Sequence, residues 1–306
     1  MPDRCVPIVG GATRLAAAPV VALDALRAGL GLAARRLLTA GDGSYPEFPI
    51  ADASDPGLFG PESMTWRIHA HRSMLVGGLR ALFVQMLHPL AMAGVAEHSS
   101  YREDPLGRLA RTGRFVATTT YGTSSAAERA IEGVRAVHGR VHGIALDGRR
   151  YDARDPALLS WVHNVEVESF LTAYRTYGPP TSDAEADRYV DEMRVLGAAL
   201  GADDLPTTAA GLHEWVRGHR EVAASPAAHA AVRFLMLPPL PLATRPAYGV
   251  IAAAAIELLS LRQRLLLRLP AAPGVETVTI RPATAGLLGV LGWALGPPPP
   301  LAATAG

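Results

Sequence analysis

The chain has 306 residues, enough for one large core or two small domains. Hydrophobic residues make up 49% and charged residues 19%, which excludes a disordered chain, and a formal net charge of +1 argues against a general nucleic-acid binder. Aromatics are scarce at 6% and Ala and Leu are abundant, a balance that favours helix over sheet. All 29 basic residues are Arg, which stays protonated and serves neither as base nor as metal ligand. Cys5 is the single cysteine, so intrachain disulfides and multi-thiolate metal sites are excluded, and a reducing, cytoplasmic location is expected.

The N-terminal stretch Ala16–Leu38 is apolar but carries Asp24, Arg27, Arg35 and Arg36, and reads as an amphipathic helix rather than a signal peptide. It closes at Gly41-Asp42-Gly43, before a Pro- and Gly-rich loop over 44–62. Ser63 is the expected N-cap of a long helix running through the apolar segment to Leu87, where His88-Pro89 breaks it. A segment Leu90–His98 follows, then a polar break, then a helix from about Asp104 to Tyr121 with Pro105 in its first turn. Gly122–Ser125 is a turn, and the next helix is expected from about Ala126 to Val141, ending at Gly143. A hairpin-like turn at Gly148–Tyr151 precedes Asp155-Pro156, which caps a helix to about Tyr177. Further helices are expected at Ser182–Leu200, Gly211–Val222, Pro226–Met236 and Ala247–Leu269, with Pro297–Pro300 ending ordered structure. The apolar runs Ala247–Leu259 and Ala285–Leu295 are too short or interrupted to span a bilayer, which needs about 20 residues; the chain ends are assigned at most a peripheral membrane contact. The reading is all-α: one globular helical domain over 58–270 with few or no strands, an N-terminal arm over 1–57 and a C-terminal extension over 271–306.

GxSxG, P-loop and HExxH motifs are absent. Two polar clusters stand out instead. Arg108, Arg111 and Thr112 occupy i, i+3 and i+4 of one helix and so share a side, where two fixed cations and a hydroxyl suit an anionic ligand. His138 and His142 are i, i+4 neighbours on the next expected helix, a spacing that suits two imidazoles on one metal or one axial haem ligand with a second His nearby. Each cluster also has an ordinary structural reading, a solvated Arg face and a hydrogen-bonded core His. Glu97, next to His98 after an apolar segment, is a candidate base. His88 reads as a cap at the helix break, Trp161 as core, and His163 as a core or supporting residue.

The order of these pieces carries a resemblance. It runs Ser63–Trp66, Gly77-Gly78-Leu79-Arg80-Ala81-Leu82 and Gln85-Met86-Leu87-His88-Pro89, then Arg108-x-x-Arg111-Thr112. Next come Val134-Arg135-x-Val137-His138-x-x-Val141-x-Gly143, Tyr151-x-Ala153-x-Asp155-Pro156 and Trp161-Val162-His163. Together they resemble the MpaB-type and rubber-oxygenase (latex-clearing protein) catalytic domain over roughly residues 58–270. The resemblance implies a globin-reminiscent helical fold and a haem-b oxygenase that inserts O2 across a carbon–carbon double bond. It places the proximal iron ligand on His138, with His142 as the alternative, and the distal set on Arg108, Arg111 and Thr112. Arg111 stands where the rubber oxygenases have Lys, and a guanidinium cannot coordinate iron.

The resulting expectation is a bacterial haem-b oxidoreductase of oxygenase type, acting with O2 on an apolar isoprenoid or lipid-like molecule. Two alternatives stay open: a non-haem metal enzyme using His138, His142 and a carboxylate such as Glu97, or a helical ligand-binding protein without activity.

Overall fold

The computed structural model describes Asp24 and residues 27–32, 48–272 and 274–296. The expected arm helix falls largely outside the described residues, although residues 27–32 are helical; Cys5 and the Pro297–Pro300 tail lie outside them. Among the described residues the fold is all-α, as the composition requires, with one two-stranded antiparallel hairpin.

The first helices are α1 (Met64–His69), α2 (Met74–Gln85) and α3 (Pro89–His98). Ser63 caps α1 by accepting from the Trp66 amide. The single long helix expected here is interrupted at 70–73, because the His71 ring accepts from the Ser73 amide and draws the backbone into a turn. The break at His88-Pro89 is as expected: α2 and α3 are bent by 105°. His88 caps α3, with Pro89 at its first position where no donor is lost.

Helices α4 (Pro105–Tyr121) and α5 (Ser124–His138) form a hairpin across Gly122-Thr123. Asp104 caps α4 through the Gly107 amide. The sequence predicts α5 to reach Val141, but it ends three residues earlier. Strand β1 (His142–Ile144) begins just beyond and pairs with β2 (Arg150–Asp152), Gly143 opposite Tyr151. Three residues per strand are too few for an alternating pattern, so only the turn between them was visible beforehand.

The core is organised around α6 (Pro156–Tyr177), which packs along α2. At their closest approach Gly77 meets the Phe170 backbone, and a Cβ there would sit 3.0 Å from the Phe170 Cα. Trp161 is fully buried and donates to the Gln85 carbonyl at 3.1 Å, joining α6 to the end of α2. Helix α7 (Asp183–Leu200) carries a reciprocal capping box between Ser182 and Glu185. Helices α8 (Ala209–Gly218) and α9 (Pro226–Met236) follow. The single helix expected over 247–269 is two, α10 (Arg245–Glu257) and α11 (Leu261–Leu267), because Ser260 and Gln263 form a second capping box at the junction. Finally α12 (Val275–Leu295) is a continuous 21-residue helix packed on α10; the apolar run at 285–295 is its C-terminal half.

Candidate active site

Arg108 is 14 residues before Gly122 and His138 is 15 residues after Thr123. Both therefore lie several turns from the Gly122-Thr123 connection, Arg108 near the start of α4 and His138 at the end of α5. The C-terminal end of α3 reaches Arg108 through Ser99, and the β-hairpin begins just after His138.

The contacts of these elements form two connected groups. Arg108 donates to the Ser99 hydroxyl, just past α3. Tyr151, buried on β2, donates its phenolic proton to the Glu97 carboxylate at 2.6 Å. That proton is committed, so His98 must supply its Nε2–H to the same phenol oxygen, at 3.0 Å. Burial, reinforced by the Glu97 carboxylate, pushes the Tyr151 phenol up to about 12, so it remains a donor. Gly143 makes the arrangement possible: a Cβ there would lie 2.5 Å from the Tyr151 hydroxyl oxygen. The glycine in the Val141-x-Gly143 pattern is thus a seat for the Tyr151 ring.

Three polar groups in this region lack the partner their burial calls for. The Nδ1 atom of His138 is buried with no hydrogen bond. The Tyr101 hydroxyl is buried with none either. The Arg108 guanidinium is largely enclosed and meets a hydroxyl instead of a carboxylate; burial and the neighbouring Arg111 charge pull its pKa down. Burial also pulls the His138 imidazole below its usual value, so the ring is neutral near pH 7. Buried polar groups without a hydrogen bond are rare in native proteins, and each calls for a partner such as water, an ion or a ligand.

The other sequence candidates sit differently. Arg111 points outward, its side chain 63% exposed, in an ion pair with Asp104 at 3.0 Å. Thr112 is exposed on the same turn. His142 is exposed on β1 opposite Asp152, so it shares no helix face with His138. Glu97 is exposed and engaged by Tyr151. Among the described residues no group of three or more His, Cys, Asp or Glu side chains is arranged to hold a metal ion.

Sequence reading missed Tyr151, Ser99 and Glu166. Glu166 lies on α6 and has no hydrogen bond or ion pair among the described residues; burial lifts its pKa to about 7. The Tyr189 phenol beside it pairs with His69 at 3.0 Å, and His69 pairs with Thr120 at 2.8 Å. Burial holds His69 down to about 3, so this interior row is neutral apart from Glu166. The available signal was spacing: His163, Glu166 and Phe170 recur at i, i+3 and i+7, one helix face.

The chain was also compared with known proteins. No curated protein and no solved structure matches it. A family profile described as ER-bound oxygenase mpaB/B'/rubber oxygenase, catalytic domain, matches residues 66–293. That span covers α2 through α11, most of α12 and the last four of the six residues of α1, and it includes the polar residues just described. By this match the chain belongs to the ER-bound oxygenase mpaB/B'/rubber oxygenase catalytic-domain family.

Proposed function

We propose that this oxygenase-family chain uses haem b to oxygenate an apolar, isoprenoid or lipid-like small molecule, with His138 as the iron ligand. The observation that carries the reading is the His138 imidazole, whose Nδ1 is buried without a hydrogen bond, supported by the enclosed Arg108 guanidinium, which meets the Ser99 hydroxyl and no carboxylate. Those groups fit haem chemically. A neutral imidazole with a free ring nitrogen is an iron ligand. An enclosed guanidinium without a counter-ion suits a propionate. When bound, haem supplies the activation of O2 for insertion across a carbon–carbon double bond, and the protein supplies ligation, orientation and polarity.

The chain's own residues then divide the work. His138 stays neutral because burial disfavours its charged form. Arg108 is steadied by Ser99 and holds a negative group near the start of α4. Tyr151 fixes Glu97 and His98, which keeps the end of α3 closed over Val141 and Gly143. Arg111 and Thr112 are exposed, and Arg111 is paired with Asp104, so neither is assigned a contact with the reacting atoms. Glu166 is the interior carboxylate placed to hold a proton near pH 7.

We also assign α12 a peripheral membrane contact, which would give an apolar substrate a route from a bilayer. Its segment Glu276–Leu295 has a mean hydropathy of 1.3 and is long enough to cross a membrane, yet 22% of it is buried in the fold. Val278, Val290 and Trp293 are exposed along it.

The test is oxygen uptake. Haem-loaded protein given a short isoprenoid alkene should consume O2 and yield carbonyl cleavage products, while a saturated analogue should not. Haem-loaded, folded protein that consumes no O2 with any alkene would exclude the oxygenase reading.

A further inference from the structure

A polar cavity lies away from the α4–α5 hairpin, where α2, α6 and α8 meet the α10–α11 junction. Its volume is about 190 Å³, below the range of drug-sized pockets, so it suits a ligand of a few heavy atoms. Its floor is the ion pair of Arg80 and Glu168, both about 4% exposed. His213, Arg217, Ser260 and Gln263 form the walls and mouth.

Hydrogen-bond accounting sets what could bind there. The Glu168 carboxylate is saturated: it accepts from Arg80 through both oxygens, from Thr172 at 3.3 Å and from His213 at 3.2 Å. Two backbone acceptors at the rim are also taken, Leu258 by Arg80 at 3.1 Å and Leu259 by Arg264 at 3.2 Å. The donors are not used up. Arg80 has five N–H groups and gives one to Leu258, one to Ser169 and two to Glu168, leaving one on Nη2. Gln263 is 8% exposed, and its Oε1 accepts from the Ser260 amide at 2.9 Å. That bond fixes the amide orientation and leaves the Nε2 protons without a partner in a side chain that lines the cavity. The Ser260 hydroxyl accepts from the Gln263 amide and retains its own proton. Arg217, exposed at the mouth, has no carboxylate partner among the described residues.

We infer that this cavity is a binding site for a small oxyanion, a carboxylate or phosphate of a few heavy atoms, held by Arg80, Gln263, Ser260 and Arg217. Surplus donors, spent acceptors and a cationic mouth are the complement of such an ion. A cation would find few free acceptors to donate to and two arginines to oppose it. The site is separate from the proposed haem end, so it can be tested whether or not haem binds.

Isothermal titration of the full-length protein with inorganic phosphate, and separately with acetate, in buffer matched for ionic strength with chloride, is the experiment. Saturable binding of either anion is expected, and the one that binds identifies the class. Arg217→Ala is at the surface and should keep the thermal midpoint of the anion-free protein while weakening binding at least tenfold. Gln263→Leu should weaken it similarly, with some loss of stability from the missing cap. Failure of both anions to bind the folded protein would overturn the inference, and so would binding that neither substitution changes.

Discussion

Tyr151 ties together the end of α3 and the β-hairpin through one hydroxyl, which donates to Glu97 and accepts from His98. Tyr151→Phe removes both bonds and should lower stability by about 1 kcal/mol, read as a shift in the denaturant midpoint with an unchanged slope. Gly143→Ala is expected to be worse, about 1–3 kcal/mol, because the added methyl would overlap the Tyr151 hydroxyl at 2.5 Å. The Arg80–Glu168 pair gives a sharper contrast. Arg80→Met leaves a buried carboxylate facing only His213 and Thr172, and should cost about 3–5 kcal/mol. Adding Glu168→Leu should restore much of that loss; a double variant less stable than Arg80→Met would contradict the assignment.

At this scale the sequence was only partly legible. Arg108 and His138 could be picked out because their residue types are unusual among apolar neighbours. Tyr151 and Ser99 could not be picked out, since a single Tyr or Ser carries no chemistry until a partner from another element reaches it. Arg111 and Thr112 lie on the same side of α4 as Arg108, yet both are exposed, with Arg111 paired to Asp104, so a shared helix side did not make a shared buried site.

Among the elements, those with a side-chain cap were the readable ones. Ser63, Asp104 and Asp155 begin α1, α4 and α6 where the sequence places them. Ser182→Ala should cost about 1 kcal/mol by opening the capping box of α7, and a helix-selective hydrogen-exchange measurement should show the loss concentrated in its first turn. Boundaries set by competition were not readable. Apolar periodicity continues from α5 into β1, and only the pairing of Gly143 with Tyr151 decides that the chain leaves the helix at His138. In the same way Ser260 and Gln263 divide one apolar stretch into α10 and α11.

For the whole molecule, the all-α architecture followed from composition and from the punctuation of Pro, Gly and capping residues, while the packing of α6 against α2 needed three dimensions. Burial of several imidazoles has a global consequence. His69 is held down to about 3, and His88 and His163 to about 4, all by burial. Between pH 4 and 6.5 the unfolded chain therefore binds protons that the folded one does not, and stability must fall as pH falls through that window. Glu166 acts in the opposite sense between its ordinary value of 4.5 and about 7, since its folded form keeps a proton that the unfolded form loses. Three imidazoles outweigh one carboxyl. The unfolding free energy should fall by on the order of 2 kcal/mol per pH unit from pH 6.5 to 4.5, and thermal midpoints should drop steadily with it; a midpoint flat across that range would contradict the neutral burial of these rings.

The claim on which the functional account rests is that His138, at the end of α5, holds haem iron. It is tested by the visible spectrum and pyridine haemochrome of the protein expressed with a haem precursor, set beside His138→Ala and His142→Ala, with circular dichroism confirming that each is folded. The account predicts one b-type haem per chain and a Soret band that persists in His142→Ala and is lost in His138→Ala. A folded wild-type protein without haem, or a Soret band that survives in His138→Ala and disappears in His142→Ala, would contradict it.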